Sequence, residues 1–359
     1  MLATAIFDLI ALVYFQISIY TDKNLRKCQK GPPIIPGFIT HYLGGQSALL
    51  SVSPVIHDCI APMSCLYNLG TQGPDIFFYY VPGFVTKRIR GIGTQMHNEN
   101  LGLFITQMAN VLMQTEGDTR RQAIFAYTAG FLAHYAMDVH THPYVFAQTQ
   151  NPATSVIKEA TRHRHFETSI DVLMLSRLYN KKPLGYKQWQ LISTEKPHKK
   201  IAAAAAGESI RKVYGRNIST NDVYRAMGQM ASFTRFLQSK TGRRKRWLGR
   251  VESITIGSKI ISALIHMQNV TDGCDYLNIN KTPWAAPWAP EIVRTESFPE
   301  LFESAVKDTV QMIEALYAYM QNGLSQSQLA AQIRNRSLKT GLAIQNANTG
   351  APHQPGQSQ

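Results

Sequence analysis

Five residues that can bind metal recur at four-residue spacing in the middle of this 359-residue chain. His134, Asp138 and His142 form two overlapping pairs, and His163 and Glu167 form a third. On a helix this spacing places the side chains on one face, roughly 6 Å apart along the axis at about 1.5 Å per residue. Neutral imidazole and carboxylate are ligands that hold zinc in water-activating enzymes. The spacing therefore predicts a metal site on helices.

The stretch before these ligands, Ala123 to Met137, has no Asp, Glu, Lys or Arg and indicates a buried helix. A carboxylate that follows on the same helix would be buried beside imidazoles. Such burial is costly unless the carboxylate is paired or bound to metal. The sequence therefore favours a metal cluster over a set of ordinary core histidines.

Three further candidate ligands lie upstream, each close to glycine or proline. They are His41 in GFITHYLGG, Asp75 in GTQGPDIFFYY and His97 in GTQMHNENLG. Glycine and proline are expected where the backbone must turn to aim a side chain.

In this order the eight residues resemble the zinc-dependent phospholipase C family, which includes bacterial phospholipases and clostridial alpha-toxins and has single-strand nucleases as relatives. The resemblance covers roughly residues 37 to 322. It depends on the sequence segments ITHYLGG, GPDIFFY, AHYAMDVHTHPYV, RHRHFE and DYLNINKTPWAAPW. It implies an all-α domain that hydrolyses a phosphodiester with hydroxide generated at zinc.

The resemblance also implies which residues bind each ion. One zinc ion would be held by Asp75, His97, His134 and Asp138. A second would be held by His142, His163 and Glu167, leaving one position for water. His41 would help to bind a third ion, with Asp138 bridging to it.

The sequence departs from the secreted members at the third ion, where a mature N-terminal tryptophan supplies ligands. No tryptophan precedes Trp189 in this chain, so the sequence leaves undecided whether a third zinc ion binds. Spacing leaves two further alternatives, His140 for His142 and His165 for His163.

Asp75 and Glu167 are the candidate catalytic residues, because a carboxylate ligand could also orient the attacking water. Phe78, Tyr79 and Tyr80 could line a pocket for an apolar or quaternary-ammonium group. Burial in the core is the favoured interpretation of these three aromatic residues.

The chain is predicted to be all-α with three parts: an extension at 1–36, a helical domain at 37–322 and a disordered tail at 323–359. Apolar residues recur at helical spacing throughout the domain. One short helix is expected near Leu329 before the disorder begins. The periodic segments are Leu101–Met113, Arg121–Met137, Phe166–Tyr179, Val223–Leu237, Ile254–Met267 and Leu301–Met320.

The net charge of +14 comes from one segment. Between Lys181 and Arg250 there are 17 of the 37 basic residues and 3 of the 23 acidic ones, so the rest of the chain is balanced. Such a segment would attract phosphate-rich partners, of which an anionic membrane surface is favoured over nucleic acid. A solvated basic insertion without a partner is the other interpretation.

The apolar stretch Ala3 to Tyr20 raises the question of a membrane anchor. No lysine or arginine precedes it, Asp8 interrupts it and no small-residue cleavage site is evident, so it fits a signal peptide poorly. A cytoplasmic or membrane-associated location is therefore expected.

The sequence thus predicts a zinc-dependent phosphodiester hydrolase that acts on phospholipids. A nuclease or phosphatase with the same metals, and a zinc-binding protein without catalysis, are the alternatives. The ligand set is shared across these chemistries, so the residues do not select the substrate.

Overall fold

A computed structural model describes residues 37–80, 86–151, 153–183, 186–238, 241–255, 259 and 261–344. Over these residues the protein is all-α, as predicted, with one short antiparallel hairpin that pairs Trp284–Ala285 with Val293–Arg294. Three 3₁₀-helices, Ala61–Met63, Gly73–Tyr79 and Ser262–Leu264, interrupt the connections. The α-helices are α1 Phe38–Leu49, α2 Pro54–Ile60, α3 Ser64–Gly70, α4 Thr86–Asn98, α5 Leu101–Gln114, α6 Asp118–Thr149, α7 Val156–Tyr179, α8 Gln188–Leu191, α9 Lys196–Tyr214, α10 Thr220–Leu237, α11 Arg243–Thr255, α12 Phe298–Met320 and α13 Gln326–Ile333.

The 32-residue helix α6 is the centre of the fold. It packs against α1, α3, α5, α7, α9 and α12, and its residues 123–139 are buried throughout. This arrangement explains why the stretch before the ligands has no charged residue. A helix that is apolar on all sides is stable only inside a protein.

Two glycines allow α3 to lie unusually close to α6. A Cβ atom on Gly130 would lie 2.0 Å from the carbonyl oxygen of Tyr67, and one on Gly70 would lie 2.3 Å from that of Tyr127. Both distances are too short for any side chain. The contact fixes the chain that leads from α3 into the 3₁₀-helix Gly73–Tyr79.

One helix predicted from the sequence does not form as a single helix. The segment Ile254–Met267 is not one helix, because α11 ends at Thr255 and, among the described residues in the rest of the segment (259 and 261–267), only Ser262–Leu264 forms a helical turn. The buried carboxylate of Glu252 accepts the backbone amide of Ser262 at 2.8 Å. This contact holds Ser262 against α11, which periodicity alone does not show.

The C-terminal region is more ordered than the sequence predicts. The short helix expected near Leu329 is present as α13, but residues 334–344 are also packed, which corrects the expectation of disorder there. Arg334 and Arg336 bind Asp308 of α12 at 2.6 and 2.7 Å, and Leu338 is fully buried. These partners lie far away in the sequence, so the polar composition conceals them. Residues 345–359 lie outside the described part.

The N-terminal extension, including Ala3 to Tyr20, also lies outside the described residues. Among the helices that are described, none has the length and the apolar composition needed to cross a bilayer.

Candidate metal centre

The eight candidate ligands come from five elements and lie in one buried cluster. Helix α1 carries His41, the 3₁₀-helix Gly73–Tyr79 carries Asp75, and α4 carries His97. The other five residues stand on α6 and α7. None of the eight is more than 5% exposed; those on α6 and α7 are His134, Asp138, His142, His163 and Glu167.

Asp138 is at the centre of this cluster. Its Oδ1 lies 3.2 Å from Nε2 of His41 and 3.4 Å from Nε2 of His142. Its Oδ2 lies 3.2 Å from Nε2 of His134 and 3.9 Å from Nε2 of His97. One carboxylate thus faces four imidazoles, which suits a group that bridges metal sites.

Three groups of residues have ligand atoms within 4.8 Å of one another, close enough to share an ion. His134 belongs to two of these groups. The groups are His41–His134–Asp138, Asp75–His97–His134 and His142–His163–Glu167.

Hydrogen bonds hold four of the histidine rings with Nε2 directed at the cluster. The Nδ1 atoms of His97 and His142 lie 2.8 Å from the carbonyl oxygens of Gly93 and Leu338. A carbonyl can only accept, so each Nδ1 carries the proton and each Nε2 is free to bind a cation. His134 is held in the same way by Thr71 O at 3.3 Å, and His163 by Thr149 Oγ1 at 3.1 Å.

The residues fit a metal because buried polar atoms are left unsatisfied without one. Neither carboxylate oxygen of Asp138 has a hydrogen-bond partner, and the same is true of the buried atoms Asp75 Oδ1, Glu167 Oε2 and Nε2 of His97, His134 and His142. An unsatisfied buried polar group costs about 1–3 kcal/mol, and a charged group costs more. So many such atoms pointing at one another are expected only around cations.

The electrostatics of the cluster lead to the same conclusion. Burial raises the pKa of Asp75 well above its ordinary value, and the neighbouring charge of Asp138 adds to the effect. Burial would also raise the pKa of Asp138, but His142, His134 and His41 hold it well below its ordinary value.

The pKa values of two histidines in the cluster are shifted in opposite directions. Burial lowers the pKa of His134 to about 4 in spite of Asp138. Burial would lower the pKa of His142 as well, but Asp138 and Glu167 outweigh it and raise the pKa to about 9. The cluster thus needs positive charge, either as protons or as metal ions.

Geometry favours one histidine of each pair that spacing left open. His140 points away from the cluster and contacts Asp308 at 3.0 Å. His165 is half-buried with its ring 6.2 Å from that of Tyr276. Only His142 and His163 of these alternatives lie in a group that could hold a metal ion within the described residues.

The aromatic residues after Asp75 belong to the core, as favoured from the sequence. Phe78, Tyr79 and Tyr80 are 5%, 5% and 2% exposed. The Phe78 ring centroid lies 5.2 Å from that of His97, so it packs against a candidate ligand.

A cleft of about 280 Å³, counted with the solvent at its mouth, gives access to the cluster. It is lined by His41, Asp138, His142 and Glu167, with apolar walls from residues such as Phe298. A neighbouring cleft of about 560 Å³ contains Asp171 and His266, and Gly37 lines both.

Sequence reasoning missed the groups that orient the ligands. Asp171 accepts hydrogen bonds from backbone N–H groups at the start of α1, which carries His41. The spacing of Asp171, four residues after Glu167, was a usable signal. The carbonyl of Leu338 left no signal, because every residue has a backbone carbonyl.

A model of the zinc-dependent phospholipase C family matches residues 66–224. The matched segment contains seven of the eight cluster residues, and His41 lies before it. Over these residues the match agrees with the resemblance seen in the sequence. No curated protein and no solved structure matches the chain significantly.

Proposed function

We propose that this protein, whose residues 66–224 belong to the zinc-dependent phospholipase C family, hydrolyses a phospholipid to diacylglycerol and a phosphorylated head group. The observation that carries the proposal is the buried cluster around Asp138, in which carboxylate oxygens and imidazole nitrogens converge without hydrogen-bond partners. Such a cluster is suited to cations that act on a phosphodiester.

The residues would hold the ions in two sets. Asp75, His97, His134 and Asp138 would bind one zinc ion, and His142, His163 and Glu167 would bind a second. His41, beside Asp138 at 3.2 Å, would contribute to a third. When bound, zinc neutralises charge on the phosphoryl oxygens and lowers the pKa of water from 15.7 toward about 7.

Glu167 is the better placed of the two candidate catalytic carboxylates. Its Oε1 lies 3.0 Å from Nε2 of His163, while its buried Oε2 has no hydrogen-bond partner. Glu167 lines the cleft that leads to the cluster. We assign it the orientation of the attacking water, and we assign Asp75 to metal binding in the group that it forms with His97 and His134.

The cleft walls set the medium for the reaction. Met137, Val145, Ile170 and Phe298 present apolar groups beside the charged residues. Where water is excluded, fixed charges act more strongly on a developing negative charge than they do in bulk water.

The test is hydrolysis of phosphatidylcholine in mixed micelles by zinc-loaded protein, with zinc content measured on the same samples. Glu167→Gln should lower turnover at least about 100-fold, the usual scale for a positioned acid or base. Glu159→Gln, two turns earlier on α7, is the matched control. The proposal is wrong if the zinc-loaded wild-type protein releases no head group.

A nuclease or phosphatase activity is the second candidate, because the segment Lys181–Arg250 carries the whole positive excess of the chain. The same preparations should be assayed on single-stranded DNA and on a phosphomonoester. Faster turnover of either substrate than of phospholipid would favour this alternative. Zinc binding without any turnover would favour a protein that binds zinc but does not catalyse.

A further inference from the structure

Helix α11 presents apolar side chains to solvent. Trp247, Val251 and Ile254 are 51%, 38% and 85% exposed. Positions i, i+4 and i+7 of a helix lie on one face, so the three form a continuous stripe. A stripe of this kind on the outside of a protein marks an interaction surface.

Arginines stand on both sides of this stripe. At about 100° per residue, Arg244 lies roughly 60° to one side of Trp247 and Arg250 roughly 60° to the other. Arg243 and Arg246 extend the side of Arg250, and all four arginines are exposed. The helix therefore has an apolar centre with basic edges.

The opposite face fixes α11 to the protein with polar as well as apolar groups. Leu248 is buried, and Lys245 donates to the carbonyl of Ile265 at 2.6 Å. The buried Glu252 accepts the amide of Ser262 at 2.8 Å. These contacts fix the inner face of α11. Trp247 and Ile254 therefore stay on the outer face of an ordered helix.

We propose that α11 binds the surface of an anionic phospholipid bilayer. An interfacial helix of this type inserts its apolar stripe at the level of the head groups while its basic edges contact anionic lipids. Tryptophan favours that level of the membrane because its ring is amphipathic. Nucleic acid would be met by the arginines alone and would leave the most exposed apolar side chain, Ile254, in water.

The position of α11 relates this surface to the clefts. Ile265, whose carbonyl holds Lys245, lines the 560 Å³ cleft next to the metal centre. Gly37 lines both that cleft and the one at the metal cluster. Binding through α11 would thus hold the cleft side of the protein near lipid. Vesicle binding is measured as the amount of protein that sediments with lipid, so the inference does not depend on the proposed hydrolysis.

The test is co-sedimentation of full-length, zinc-loaded protein with phosphatidylcholine vesicles that contain phosphatidylserine. The double variant Trp247→Ser, Ile254→Ser should bind at least about 100-fold more weakly, since each buried apolar side chain is worth at least about tenfold. Leu50→Ser, which removes a side chain that is 78% exposed directly after the end of α1, is the matched control and should bind as the wild type does.

A second pair of measurements separates the lipid from nucleic acid. Arg244→Gln with Arg250→Gln should weaken binding to the anionic vesicles about 30-fold, at about 1 kcal/mol per residue near the surface. Ile254→Ser alone should weaken vesicle binding and leave binding to single-stranded DNA unchanged. Equal vesicle binding by Ile254→Ser and wild type, with both folded by circular dichroism, would overturn the proposal.

Discussion

The carboxylate of Asp171 accepts both the backbone amide and the hydroxyl of Thr40, at 2.7 and 2.6 Å. Asp171 lies one turn after Glu167 on α7, whereas Thr40 directly precedes His41 on α1. A distant carboxylate thus binds the free N–H groups at the start of α1, as a local capping residue would. This contact fixes the helix that carries His41 against the helix that carries Glu167.

Replacing Asp171 should therefore disturb the metal centre without touching a metal ligand. Asp171→Asn exchanges one carboxylate oxygen for an amide group that cannot accept, while Thr40, Ile39 and His266 all contact the carboxylate in the native protein. We expect zinc affinity to fall by about 10- to 100-fold, the usual cost of losing an outer-shell partner. Zinc titration of the demetallated protein measures this.

Asp58→Asn is the control for this substitution, because the Asp58 side chain is 82% exposed and contacts His57, which is not a candidate ligand. Its zinc affinity should match that of the wild type. An unchanged affinity in Asp171→Asn would remove the proposed link between α1 and the metal centre.

Truncation after Ile333 should weaken zinc binding because it removes the carbonyl of Leu338, which lies 2.8 Å from Nδ1 of His142. His142 would then lose the contact that orients its ring. We expect zinc affinity to decrease at least about tenfold. Truncation after Ile344 keeps Leu338 and should bind zinc as the full chain does. The prediction fails if the two truncated proteins bind zinc equally.

Zinc binding to the demetallated protein should release protons at neutral pH. Burial lowers the pKa of His142, but Asp138 and Glu167 outweigh it and raise the pKa to about 9. His142 is therefore protonated at neutral pH without metal, and a ligand must lose its proton. Affinity should rise with pH up to about 9. Calorimetry in two buffers of different ionisation enthalpy counts the protons, and a count of zero would contradict this.

The anchoring of the C-terminal region should weaken in acid. Burial would raise the pKa of Asp308, but a hydrogen bond to His140 and the charges of Arg336 and Arg334 hold it well below its ordinary value. A carboxyl with a depressed folded-state pKa contributes stability above its unfolded pKa of about 3.9, and this is lost as the pH falls further.

Asp308→Asn should remove this contribution, about 1.5–3 kcal/mol for hydrogen bonds to a charged group. Chemical denaturation at neutral pH should show that loss, and the difference between variant and wild type should shrink as the pH falls below about 4. A difference that is constant with pH would show that the ion pairs contribute nothing.

His134→Ala should cost more zinc than His41→Ala. His134 belongs to two of the three groups that could hold a metal ion, and His41 belongs to one. Both side chains are buried, so the cavities created are comparable. Metal analysis after dialysis should find at least one zinc equivalent missing in His134→Ala and a smaller loss in His41→Ala. Equal losses would contradict this order.

The local part of this protein can be predicted from its sequence. The i, i+4 pairs on α6 and α7 are a property of the helix itself, whose hydrogen bonds fix about 3.6 residues per turn. The uncharged stretch Ala123 to Met137 likewise indicates burial because a charged residue there would have no partner. For these reasons the all-α fold and the ligands on these two helices follow from residue spacing.

Only the tertiary structure shows which side of each helix meets the others. Spacing leaves His140 as an alternative to His142, and packing turns His140 to Asp308 and His142 to Asp138. Trp247 and Ile254 lie on the outer face of α11, because Glu252 and Lys245 hold its inner face through contacts with Ser262 and Ile265. The carbonyl of Leu338 reaches His142 across 196 residues. Spacing encodes what one helix does alone, whereas these contacts depend on the free energy of packing all of the helices together.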